Sequence, residues 1–318
     1  MTDMPRAEPR LAHFPVPFFA SVLGLSGLTT ALHAAGWTAA SLATLGLTIA
    51  VFVSLAAIYT LKALRHPKAV AAEWQHPVKL AFFPAFSISL LLIATALAPT
   101  APDMARGIWL IGALAQAVLT LAVLSNWIGH RTFQTIHISP AWFIPAVGNV
   151  VAPIAGVGLG FPETSWVFFA AGLIFWIVLL VLVMNRLIFH DPLPGRMVPT
   201  LAILIAPPAV GFLAWLQLNG GVLDGFVRFL YAATLVFLGL ALTQADKLHR
   251  LPFGLSHWAL SFPVAALTLA TLRFGVLADS PVHLLAGQAA LIALCLIVGV
   301  LTLATLRTMA RGDICRPE

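Results

Sequence analysis

Phe262 and Pro263 stand side by side inside an otherwise apolar run, Ser256–Arg273. Within a helix, proline removes a backbone hydrogen bond and clashes with the preceding turn. Phe262 is therefore expected at a kink, where its ring can be aimed away from its own helix. The pattern recurs along the chain. Pro17, Pro84, Pro145, Pro208 and Pro263 follow one another about sixty residues apart, the length of one helical hairpin in a repeat. Small, weakly polar and aromatic residues cluster beside them: Phe18 and Ser21, Phe86 and Ser87, Gly148 and Asn149, Gly211 and Phe212. The chemistry open to such residues is solvation, not bond making. Hydroxyls, amides and backbone groups freed at a kink can take the place of water around a solute. Small residues also let helices pack closely, and the residues themselves fit either use.

Ionisable side chains lie elsewhere. The proline-bearing segments hold no charge at mid-depth, where a charge would mark a pathway or a proton relay. The spacing of His76 and His130 does not resemble a metal site, and Cys295 and Cys315 suggest neither a disulfide nor a metal site. No nucleophile, acid–base pair or metal cluster is evident, so no enzyme, metal or cofactor is expected. Lys79 and Arg273 stand near the two ends of this apolar system. Either they raise the local concentration of anions or they snorkel to lipid headgroups.

The elements that must carry these residues are membrane helices. Of 318 residues, 60% are hydrophobic and 9% charged, with a mean hydropathy of +0.99; soluble domains carry about 25% charged residues. The expectation is an all-α polytopic membrane protein. Ten runs are long enough to span: Phe14–Ala35, Ser41–Leu64, Val78–Ala98, Gly107–Ile128, Pro140–Gly160, Ser165–Phe189, Val198–Leu218, Gly225–Gln244, Leu255–Leu277 and Val282–Met309. The prolines fall in the odd spans and spare the interior of every even one. Thr2–Arg10 has no long apolar core, so no signal peptide is expected ahead of the first span.

Loop charge sets the orientation. Arg6, Arg10, Lys62, Arg65, Lys68, Lys79, Arg131, Arg186, Arg196, Lys247, Arg250, Arg307, Arg311 and Arg316 share one face; only Arg106, Arg228 and Arg273 fall on the other. By the positive-inside rule, both termini are cytoplasmic. The same asymmetry accounts for the net charge of +6 without a nucleic-acid partner. Short turns on the outer side pair consecutive spans into five hairpins. Five similar hairpins suggest a pseudo-fivefold ring, with kinked odd helices inside, around a central pore. The expected domains are a cytoplasmic segment 1–13, a membrane unit 14–309 and a cytoplasmic tail 310–318. A mostly apolar pore with kink-exposed dipoles would select among anions by the cost of removing their water.

Five segments carry a family resemblance: Phe14-Pro-Val-Pro17, His76-Pro-Val-Lys79, Phe143-Ile-Pro-Ala-Val147, Ala206-Pro-Pro-Ala209 and Trp258-Ala-Leu-Ser-Phe-Pro263. In this order and spacing the chain resembles the tellurite-resistance/dicarboxylate transporter family. The likeness covers essentially all ten spans, is closest to the bacterial tellurite-resistance branch, and extends to plant guard-cell slow anion channels. It implies an integral protein of a bacterial inner membrane, in contact with lipid and assembled as a homotrimer with one pore in each protomer. It also implies passage of small inorganic or carboxylate anions, with a phenylalanine of the ninth span, here Phe262, occluding the pore. The alternative within the same family is a proton- or ion-coupled carrier of dicarboxylates or oxyanions such as malate, sulfite or tellurite. No counterpart of the long regulatory tails of the plant branch is expected here.

Overall fold

A computed structural model describes residues 10–129, 133–249, 251–312 and 314–315. Arg6, Arg131, Arg250 and Arg316 lie outside these. Among the described residues there are helices and no strand. They are α1 (Ala20–Ala34), α2 (Thr38–Arg65), α3 (Pro67–Gln75), α4 (Pro84–Leu97), α5 (Pro102–Gly129) and α6 (Phe143–Gly156). These are followed by α7 (Pro162–Phe189), α8 (Ala206–Leu218), α9 (Gly225–Leu242), α10 (Ala245–His249), α11 (Ser261–Leu277) and α12 (Pro281–Ala310). By length and composition, nine helical segments among the described residues can cross a membrane; the fifth expected span is a shorter apolar helix, Pro140–Gly156. The chain is an all-α polytopic membrane protein.

The proline positions have a different physical basis from the one expected. Each odd span is a tight 3₁₀ segment followed by an α-helix, with the break close to the proline. The 3₁₀ segments are Val16–Phe19, Lys79–Phe82, Pro140–Trp142, Gly195–Ile205 and Leu255–Leu260. Pro84 opens α4, Pro145 is third in α6, Pro207 and Pro208 are second and third in α8, and Pro263 is third in α11. The first turn of an α-helix has no intrahelical use for its N–H groups, so proline costs little there. Pro17 lies within its 3₁₀ segment. Pro153 is the proline inside an α-helix proper.

Odd and even spans divide into inner and outer. Over an apolar 18-residue stretch of each, between 61% and 83% of residues are buried in Val16–Ala34, Lys79–Leu97, Gly195–Leu218 and Leu255–Leu277, against 22% to 39% in α2, α5, α7, α9 and α12. Nearly all of α6 is buried too. The contacts close a cycle: α1 packs on α4, α4 on α6, α6 on α8, α8 on α11, and α11 on α1. Each outer helix pairs with the inner helix before it and also touches the next one, α12 reaching back to α1. The outer faces expose apolar side chains such as Leu114, Leu121, Val181, Val236 and Leu296, as a lipid-facing surface requires. Left-handed glycines at Gly36 (φ +83°) and Gly160 (φ +92°) turn the chain between inner and outer helix, a conformation open to glycine at little cost.

Two outer helices begin ahead of the expected spans, which open at Gly107 and Ser165. α5 begins at Pro102 and α7 at Pro162, each with proline in the first turn and an acid, Asp103 or Glu163, beside it. Carboxylates are favourable at a helix N-terminus, so these helices run past the apolar stretch. The supposed loop after α2 also folds, into α3.

Candidate functional site

The five inner segments meet around one small cavity of about 40 Å³, room for only a few water molecules. Every inner segment contributes to it. Ala20 and Leu23 come from α1, and Phe82 and Ile88 from either side of the start of α4. Ile144 and Val147 come from α6, and Ile203 and Ala206 from the break before α8. Trp258, Ala259, Phe262 and Pro263 come from the break before α11. In four of the five segments two lining residues are three apart, which places them on one helical face.

The cavity sits where five α-helices begin. Ala20 and Ala206 are the first residues of α1 and α8, Ile144 and Phe262 the second residues of α6 and α11. Because hairpins alternate direction, all five inner helices run the same way. Their positive dipole ends therefore gather at one level. No lining side chain is charged. The site combines an apolar wall, which resists wetting, with helix N-termini, which favour negative charge.

Phe262 lies in this wall, half-buried. Its ring reaches across to α1, where a Cβ built on Gly27 would stand 3.8 Å from Cδ2. Trp258, one turn earlier, donates its indole N–H to Thr305 of α12 at 2.9 Å. This fixes the 3₁₀ segment leading to Phe262. Pro263 and Phe262 are brought together with the cavity; Pro17, Pro84, Pro145 and Pro208 shape the breaks without lining it.

The eight other candidates for the pore wall are placed elsewhere, and none lines this cavity. Ser87 donates to Gln116 Oε1 of α5 at 2.7 Å and to the Pro84 carbonyl. Asn149 donates to Thr120 Oγ1 of α5 at 2.9 Å and to the Pro145 carbonyl. A side chain at Gly148 would strike Gln116, and one at Gly211 would contact Leu230 of α9. Phe86 packs between Phe19 and Phe52 of α2. Phe212 packs by Tyr231 and Phe274. Phe18 stacks on Phe14 at 5.5 Å, and Ser21 bonds back to the Phe18 carbonyl. Buried polar groups must find partners, and here the outer helices supply them. The small and polar residues serve packing, which leaves the cavity to aliphatic and aromatic side chains. Lys79 is half-buried at the start of its 3₁₀ segment and Arg273 is exposed along α11; neither touches the cavity.

Two features escaped the sequence reading. Gln116 and Thr120, one turn apart on an outer helix, tie α4 to α6 through Ser87 and the Pro145 carbonyl; that spacing in an apolar run was the available signal. Lys62, counted as loop charge, is buried instead. Its Nζ donates to Glu73 Oε2 of α3 and to the Phe14 carbonyl, both at 2.7 Å. Glu73 also accepts from Tyr59 and from the Val16 N–H. The network pins the chain just ahead of α1.

Comparison with known proteins finds relatives along most of the chain. The family described as SLAC1, voltage-dependent anion channel, matches residues 13–306. The S-type anion channel SLAH3 of Arabidopsis thaliana is 28% identical over 315 residues, 94% of this chain and 48% of the relative. The guard cell S-type anion channel SLAC1 of the same plant is 25% identical, over 85% of this chain and 52% of the relative. This chain thus spans about half the length of those plant channels. The tellurite resistance protein TehA homolog of Haemophilus influenzae is 27% identical over 270 residues, 82% of each chain. With a match that runs through all five hairpins, the chain belongs to the SLAC1 family of voltage-dependent anion channels.

Proposed function

We propose that the chain passes small anions through the middle of its five-hairpin cycle, and that Phe262 occludes this path. One observation carries the reading. All five inner segments supply side chains to one apolar cavity at the level where five parallel α-helices begin, and the aromatic side chains in that wall are Phe82, Trp258 and Phe262. Trp258 is tethered to Thr305 and Phe82 is packed into the core at 6% exposure, which leaves the half-buried Phe262 as the gate. A ring of this size in so small a space blocks passage by filling it and by keeping water out. The path belongs to the membrane unit 14–309, with segments 1–13 and 310–318 on the cytoplasmic side as the loop charges suggest. The trimer and the bacterial inner membrane implied by the resemblance remain part of this proposal.

The deciding measurement is current through reconstituted protein, or protein in oocytes, for the native chain and Phe262→Ala. The variant is expected to raise anion current with reversal potentials following the anion gradient. An unchanged current in a well-folded Phe262→Ala protein refutes the gate. Oxyanions and dicarboxylates, tellurite among them, serve as competing cargo in the same series. Uphill uptake driven by a pH gradient would establish a coupled carrier in place of a channel.

A further inference from the structure

Arg186 lies in the last turn of α7 and is only 1% exposed. One terminal nitrogen donates to the backbone carbonyl of Asp191. Its Nε–H is buried without a hydrogen-bond partner, and no carboxylate pairs with it among the described residues. A buried, uncompensated charge is strongly unfavourable, so this guanidinium calls for an anion.

Beside it opens a cleft of about 410 Å³, lined by Ile136, Arg186, Phe189, His190, Asp191 and Pro192. Arg186 and His190 are the side chains there with nitrogen donors, and the exposed Asp191 is the opposing charge in the lining. The cleft is distinct from the central cavity; the two share no lining residue. Its apolar members face outward: Ile136 is 56% exposed and Phe189 74%, with Ile188 exposed next to it. A free anion has no use for an apolar rim, whereas an anion carrying acyl chains does. Arginine presents planar, directed donors suited to phosphate oxygens, and basic pockets at the ends of membrane helices suit acidic headgroups.

We infer that this cleft is a site for the phosphate headgroup of an anionic membrane lipid, with Arg186 Nε as the open donor and the lipid chains against Phe189 and Ile136. The test uses the purified full chain in detergent, titrated with phosphatidylglycerol or phosphatidylcholine. Bound lipid is counted by native mass spectrometry, and stability is followed by the thermal unfolding midpoint. Phosphatidylglycerol is expected to bind in a saturable way and raise the midpoint, with phosphatidylcholine much weaker. Arg186→Gln is expected to weaken phosphatidylglycerol by roughly tenfold or more, and His190→Ala to weaken it less. Should Arg186→Gln fail to fold, His190→Ala decides the matter, and an unaltered affinity overturns the site. Equal binding of the two lipids by the native chain also overturns it. So does millimolar inorganic phosphate that displaces the lipid and reproduces the stabilisation alone, because the site would then serve a soluble anion.

Discussion

Lys62 and Glu73 form a buried ion pair, with side chains only 1% and 8% exposed. Taking both charges out of water is unfavourable, and the pair persists because its remaining hydrogen-bonding groups are used: Lys62 on the Phe14 carbonyl, Glu73 on Tyr59 and the Val16 N–H. Removing one partner is the damaging change. Glu73→Gln leaves a buried ammonium without its counter-charge and should cost about 3–5 kcal/mol, read as a fall in the thermal unfolding midpoint in detergent. Adding Lys62→Met should recover most of that loss, since coupled residues are strongly non-additive. A double variant as unstable as the single one would show that the charges do not act as a pair. Neither role was legible in the sequence. Lys62 and Glu73 lie on different helices across a tight bend, so no helical spacing joins them. At the opposite end of the hairpins, Asp224 is more typical of a surface carboxylate. It caps α9 by accepting from the Val227 N–H and also accepts from the Trp215 indole. The Val227 bond first, then the Trp215 bond, lower its pKa. A lowered folded-state pKa adds stability above the unfolded value and loses it as pH falls through the folded one. Protonating Asp224 in acid should therefore loosen the start of α9, visible as faster amide exchange there and absent in Asp224→Asn.

The closure of the cycle depends on α1 meeting α11 with almost no side chain between them. A Cβ built on Gly24 would lie 2.5 Å from Ser261 Cβ, and one on Gly27 2.5 Å from Ala265 Cβ. Real atoms cannot approach so closely, so Gly24→Ala must part the two helices. Overpacking of this kind costs typically about 1–3 kcal/mol. Because Ser261 directly precedes Phe262, the strain should also reach the cavity. Gly24→Ala is expected to lower the unfolding midpoint and to alter basal anion current, and Ser261→Gly in the same chain should restore both in part. No rescue would mean that the two residues are not in contact. The hairpin period was legible because in every repeat a proline falls near the start of a helical segment, where an N–H can be spared. The switch from 3₁₀ to α at each proline was not, since both conformations bury the same residues. Nor was the direction of Ser87, Gly148 and Asn149. An inner helix buried on all sides shows no polar stripe to say which face is which; the polar residues of an outer helix, Gln116 and Thr120, held that information.

For the molecule as a whole, the question is what would make the proposed path prefer negative ions when no cation lines the cavity. The five inner helices run parallel and begin at the cavity, so their dipoles add there. Each helix N-terminus is equivalent to roughly half a positive charge, spread over backbone instead of fixed on a side chain. A diffuse positive field of this kind attracts an anion without trapping it, and conduction needs binding weak enough for release. The apolar wall offers nothing to replace an anion's water, so the ions that pass best should be those that lose it most easily. In the Phe262→Ala protein, nitrate and iodide are therefore expected to permeate better than chloride, and chloride better than fluoride, as read from bi-ionic reversal potentials. Surface charge makes a separable contribution. Lys79→Gln and Arg273→Gln remove the cations that the sequence reading sets near the two ends, and on the proposed path they should reduce current at low salt. Near 1 M salt, where the screening length falls to about 3 Å, they should leave it unaltered. In either salt the anion order should survive, because it is set in the cavity. If these substitutions abolished anion preference, or if fluoride led the series, selectivity would reside in fixed charge at the mouths and not in the five helix ends.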